Sequence, residues 1–130
     1  MTTLKEIPIL NMQKPLIYLA SPYSHPDPQM RHHRFVQVCR AAARLMQAGH
    51  IVFSPIAHSH SIAEYEELPG NWEFWQEFCL ATLGRCDQLW ILCLDGWEVS
   101  TGVNAEIQIA RDRNIFIQHI NPNSLHLCDD

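Results

Sequence analysis

In 100-STGVNAEIQIA-110, Val103, Glu106, Ile107 and Ala110 recur at i, i+3, i+4 and i+7, so a glutamate shares the apolar face of a helix. A carboxylate on such a face has two readings. It lies at the core boundary of a capped surface helix, or it lies under a ligand cleft as a nucleophile or base. Ser100 or Thr101 can cap this helix, and Gly102 permits close approach of a ligand or of backbone. The start of the helix, with spare N–H groups and the positive end of its dipole, suits an anion.

A second group of polar side chains follows the first apolar run. Tyr18, Ser21, Tyr23 and Ser24 precede Arg31 and Arg34. Hydroxyls and a guanidinium near a helix start could hold a phosphate, or these are ordinary turn residues. Neither GxGxxG nor GxxxxGK[ST] occurs, so dinucleotide and Walker-type phosphate loops are excluded. His58 and His60 sit at i, i+2 in what reads as an extended connection. A metal needs at least a third ligand, which spacing does not supply, so loop structure or substrate contact is the reading kept and no metal is expected. Cys79 has no sequence signal of nucleophilic chemistry. Trp72, Trp75 and Trp90 read as core, whereas Trp97 falls in a loop where its ring could stack on a base or cover the core edge.

These residues need elements to position them. The run 15-PLIYLAS-21 reads as a buried strand, and 28–49 as a helix with Phe35, Cys39, Ala42 and Leu45/Met46 inward and Gly49 as its stop. A strand at 50-HIVFSP-55 leads to a long connection over 56–70 with at most one helical turn, the kind of loop that is often functional. A helix follows over 71–85, with Asn71 as N-cap and Trp72, Trp75, Cys79 and Leu83 on one face. A strand over 87–94, begun by a structural Asp87, precedes the Glu106 helix at 101–113, and 115-IFIQHI-120 is the last strand.

Strands that are apolar throughout, alternating with helices, predict a doubly wound α/β domain with a parallel sheet of four or five strands. Its ligand would bind beyond the carboxyl ends of the strands, where loops 21–28, 55–70 and 95–101 gather. The division expected is a leader over 1–14, one domain over 15–120 and a polar tail over 121–130.

The chain of 130 residues is nearly half apolar, enough for one core. Net charge is −5, which argues against a nucleic-acid polymer as partner but leaves room for a small anion. No apolar run approaches a membrane span and no signal peptide is evident, so no membrane partner and a cytoplasmic location are expected. The five cysteines are odd in number and form no CxxC pair, so they are read as reduced.

Taken together, 17-IYLASPYS-24, WEFW, CDQLW and DGWEVSTGVNAEIQIA resemble, in order and spacing, the nucleoside 2-deoxyribosyltransferase superfamily, and more closely its small bacterial and phage relatives. The likeness covers residues 15 to 120. It implies a flavodoxin-like fold and cleavage of the N-glycosidic bond of a nucleoside or nucleotide, with neither cofactor nor metal. Glu106 falls on the superfamily's nucleophile. Tyr18 falls on a tyrosine that orients it or contacts the sugar. Ser21, Tyr23 and Arg31 would line the sugar and phosphate side, with Asp95, Trp97 and Gly102 in or beside the loop before the Glu106 helix. Ser100, six residues before the glutamate, matches the branch that hydrolyses nucleoside 5′-monophosphates, where transferases carry an aspartate. At Cys79 the superfamily has an aspartate, so the resemblance leaves Glu73, Glu77, Asp95 or Glu98 to take that role, or implies weak catalysis or a binding module without turnover. It also implies a homodimer or larger homo-oligomer.

Overall fold

The computed structural model describes residues 14–128. Its four strands form where the apolar runs lie: β1 (Leu16–Ala20), β2 (Ile51–Phe53), β3 (Gln88–Leu92) and β4 (Phe116–Ile120). All pair in parallel, in the order β2-β1-β3-β4. The β1–β3 register places Tyr18 opposite Leu89, and Asp87 pins its start, accepting from the Leu16 N–H at 2.7 Å. This is a flavodoxin-like sheet. The strand order reverses between β1 and β3, since the chain adds β2 on one side of β1 and β3 and β4 on the other, and that switch opens a crevice above their carboxyl ends.

Five helical segments surround the sheet. Helix α1 (Pro28–Gln47) starts where Asp27 accepts from the Gln29 N–H and Pro28 supplies a preset φ. Its buried stripe is Val38, Ala41, Ala42 and Leu45, packed on Leu19, Leu92 and Ile120. The stripe is therefore rotated from the expected one: Cys39 is half-buried and Met46 exposed, because the small alanines allow the closer approach to the sheet. Helix α3 (Trp72–Leu83) and helix α4 (Thr101–Asp112) cover the opposite face, enclosing Tyr18, Ala20, Leu89 and Ile91 with Cys79, Leu83, Val103 and Ile107. A short 3₁₀ turn, Trp97–Val99, joins β3 to α4 after Gly96, whose φ of 90° suits glycine.

The largest departure from expectation is helix α2 (Pro55–Glu66), three turns where a loop with at most one turn was expected. Ser54 caps it by accepting from the Ala57 N–H at 3.1 Å, and Pro55 occupies its first turn. Its apolar residues do not form a stripe, because α2 packs mainly by its end and one side on α1 and β1. The tail also folds back: the Cys128 N–H donates to His119 O at 3.0 Å, and Leu127 bridges Ile120 antiparallel. Apart from Lys14, the expected leader lies outside the described residues, as do residues 129–130 of the tail. Among the described residues no helix is long and apolar enough to cross a membrane.

Candidate active site

Glu106 occupies the inner face of α4, its side chain turned toward the end of β1 and only 4% exposed. The face is imposed by Val103, Ile107 and Ala110, which bury on the sheet and carry Glu106 in with them. Tyr18, fully buried on β1, donates its hydroxyl to the Glu106 carboxylate. Burial pushes the Glu106 carboxyl up to about 7, and the Tyr18 hydrogen bond opposes part of that rise. Burial and the same carboxylate hold Tyr18 far above the usual phenol range, so it remains a donor. Cys79, from α3, completes the group. Burial and the Glu106 charge push its thiol up to about 11, which keeps it neutral near pH 7.

The Glu106 group forms part of the wall of a cleft of about 1050 Å³. Six other expected site residues line the same cleft: Ser21, Tyr23, Arg31, Cys79, Ser100 and Gly102. Tyr18 lies beneath it, reaching the cleft through Glu106. Ser21 is buried and its Oγ has no hydrogen-bond partner, a free polar group on the cleft wall. Ser100 caps α4, its Oγ accepting from the Val103 N–H at 3.3 Å, which leaves the hydroxyl proton free to donate. At Gly102 the close approach is by protein: a Cβ would lie 3.2 Å from the Trp72 ring.

Besides Tyr18, two expected site residues fall outside the cleft lining. Trp97 turns the other way, onto His119 at 5.1 Å between ring centroids, because the 3₁₀ turn points it toward β4. Asp95 contributes its backbone carbonyl instead, accepting from Arg34 at 3.2 Å. Arg34 also donates to Ser24 O at 2.9 Å, so this arginine ties the loop after β1 to the loop after β3 across the crevice. Arg31 donates to His25 O. Of the acids that stood as replacements for an aspartate at position 79, only Glu73 reaches the cleft lining, and it is exposed.

The histidine pair separates. On a helix, side chains at i and i+2 point to different sides. His58 is exposed beside Phe53 and Phe78. His60 is buried in the cleft wall, stacked on Phe35 with ring centroids 4.1 Å apart and bonded through Nδ1 to the Tyr23 hydroxyl at 2.6 Å. Sequence reasoning missed His32 and Glu64 as cleft residues. The signal available was Ser54-Pro55, an N-cap and first-turn proline that announce α2 and with it an i, i+4 pairing of His60 and Glu64.

No curated protein matches the chain. Residues 15–119 match the model of the family described as Domain of unknown function (DUF1937), a span that takes in all but the last residue of the sheet and its helices, and the chain belongs to that family.

Proposed function

We propose that this protein cleaves the N-glycosidic bond of a nucleoside or nucleoside 5′-monophosphate, with Glu106 as nucleophile. The observation that carries the reading is a buried carboxylate, held by the Tyr18 hydroxyl, on the wall of the cleft at the sheet's switch point. A surface helix has no use for a carboxyl group pushed up to about 7, and maintaining one has an energetic cost that a reacting group would explain.

In the proposed reaction an ionised Glu106 oxygen attacks the anomeric carbon. The carbon–oxygen bond forms as the bond to the base nitrogen breaks, and the bonding pair leaves with the base, which takes up a proton from solvent. A water then attacks the anomeric carbon of the glycosyl-enzyme and loses a proton to solvent, giving the free sugar and returning the carboxylate. If a second base attacks instead, the outcome is transfer. Tyr18 orients the carboxylate. The oxocarbenium-like transition state gains from the carboxylate charge in a poorly solvated site. Ser100, at the N-terminus of α4, would donate to a 5′-phosphate, where an aspartate would repel it. Ser21 offers its unpaired hydroxyl to the sugar. The resemblance to the deoxyribosyltransferase superfamily supports the same assignment, and with it a homo-oligomer.

One observation favours a second reading, a nucleotide-binding module without turnover. The position where the resemblance implies an aspartate holds Cys79, whose thiol at about 11 is a weak proton donor. The two readings separate in one assay. The protein is incubated with ribo- and deoxynucleoside 5′-monophosphates and the matching nucleosides, and free base is measured by chromatography, with Glu106→Gln in parallel. Base released by the wild type alone is the expected result. A raised melting temperature with a ligand but no base released selects the binding module.

A further inference from the structure

We propose that His32, His60 and Glu64 bind one divalent first-row metal ion, best matched to Zn²⁺, on the wall of the cleft. The three side chains come from two helices, His32 from α1 and the i, i+4 pair His60 and Glu64 from α2. One ligand atom from each lies within 4.8 Å of the others. Two imidazoles and a carboxylate are the donor set of zinc sites that keep a position open for water or substrate.

The state of His60 points to a ligand. Its Nε2 is buried and has no hydrogen-bond partner. The Glu64 Oε1 is only 3.0 Å away, yet the two atoms form no hydrogen bond. A buried polar atom without a partner is uncommon and calls for an explanation. An ion would supply one. Ligands roughly 2.0–2.1 Å from a zinc ion stand about 3–3.5 Å from each other, and the His60–Glu64 distance already fits. His32 is exposed, so rotation of its side chain can close the remaining gap.

The surroundings of His60 suit the same role. Its Nδ1 lies 2.6 Å from the Tyr23 hydroxyl. With the proton on Nδ1, donated to Tyr23, the Nε2 lone pair is free, which is the tautomer that metal binding requires. Phe35 stacks on the ring and fixes its plane. All three ligands line the cleft that also holds Glu106, so the open coordination position faces it and can take water or an anionic oxygen of a bound molecule. The proposal stands on these residues alone and does not depend on the glycosidic reaction.

The test is metal titration of the full chain after treatment with a chelator. Calorimetry with Zn²⁺ should give one ion per chain, and Co²⁺ should give the visible absorption bands of a low-coordinate site. Glu64→Gln and His32→Ala change exposed side chains, and circular dichroism checks their fold. Each should weaken Zn²⁺ binding about tenfold or more. His33→Ala, exposed on the same helix, and His58→Ala should leave it unchanged. The proposal is overturned if no saturable binding of one ion occurs, or if Glu64→Gln and His32→Ala bind Zn²⁺ as the wild type does.

Discussion

Glu106 is in tension between its ionised and protonated forms. The proposed reaction needs the carboxylate, and burial favours the acid. The acid limb of kcat/KM should therefore lie near pH 7, not near 4.5, which a pH–rate profile on the released-base assay would reveal. Tyr18→Phe removes the donor that favours ionisation. A hydrogen bond to a charged group is worth roughly 1.5–3 kcal/mol, so the limb should move up by about one to two pH units, with lower activity at pH 7. An unmoved limb would mean that Tyr18 does not tune the nucleophile. Cys79 makes the opposite case. Its thiol stays neutral at working pH, so Cys79→Ala should cost about 1 kcal/mol of packing but leave kcat within severalfold of the wild type. A loss of a hundredfold would assign the thiol a chemical role.

At the scale of elements, α2 and α4 do the positioning, and each depends on a serine cap. Ser54 accepts from the Ala57 N–H while nearly fully buried. Ser54→Ala should destabilise the protein by about 1–2 kcal/mol, a fall of several degrees in melting temperature, since the orphan N–H cannot reach water. Because α2 carries His60 and Glu64, the same substitution should weaken Zn²⁺ binding without touching a ligand. An unchanged melting temperature would show that Pro55 suffices to start the helix. The loops matter less for their composition than for the arginine that links them, since Arg34 holds both lips of the crevice by their carbonyl groups.

For the whole molecule, the raised Glu106 carboxyl makes folding pH-dependent. The folded chain holds this proton up to about pH 7, whereas the unfolded chain releases it near 4.5. Between those values the native state binds more protons, so stability falls as pH rises. The contribution is full below pH 4.5 and is lost through pH 7, on the order of 3 kcal/mol in all. Urea unfolding at pH 5 and pH 8 should show this drop for the wild type, and Glu106→Gln should flatten it. Equal slopes in both proteins would place the linkage elsewhere. A homo-oligomer, expected from the resemblance, should give a solution mass of at least twice that of one chain by light scattering. Tyr65 and Val99, respectively 88% and 83% exposed, are apolar surface that such an assembly would cover.

Local patterns alone determined the parallel sheet, the order of its strands along the chain and the Asn71 cap; they narrowed the cap of α4 to Ser100 or Thr101 and put Glu106 on the apolar face, and the structure chose Ser100 and buried the carboxylate. Each depends on spacing within one element: continuous apolar runs for strands buried on both faces, and the i, i+3, i+4 repeat that carries Glu106 inward with Val103 and Ile107. Helix α2 was legible only in its cap Ser54 and its first residue Pro55, because a helix that packs by one end leaves no amphipathic repeat. Which side chains meet across elements was decided by tertiary structure. Tyr18 reaches Glu106 across 88 positions of sequence because β1 and α4 meet over the sheet face. Trp97 leaves the cleft because a three-residue turn rotates it toward His119. His60 exchanges its neighbour His58 for His32 and Glu64 because α2 is helical and packs on α1. Sequence periodicity reports which face of an element is buried, but the partner on that face is set by how elements cross, and no single element encodes that crossing.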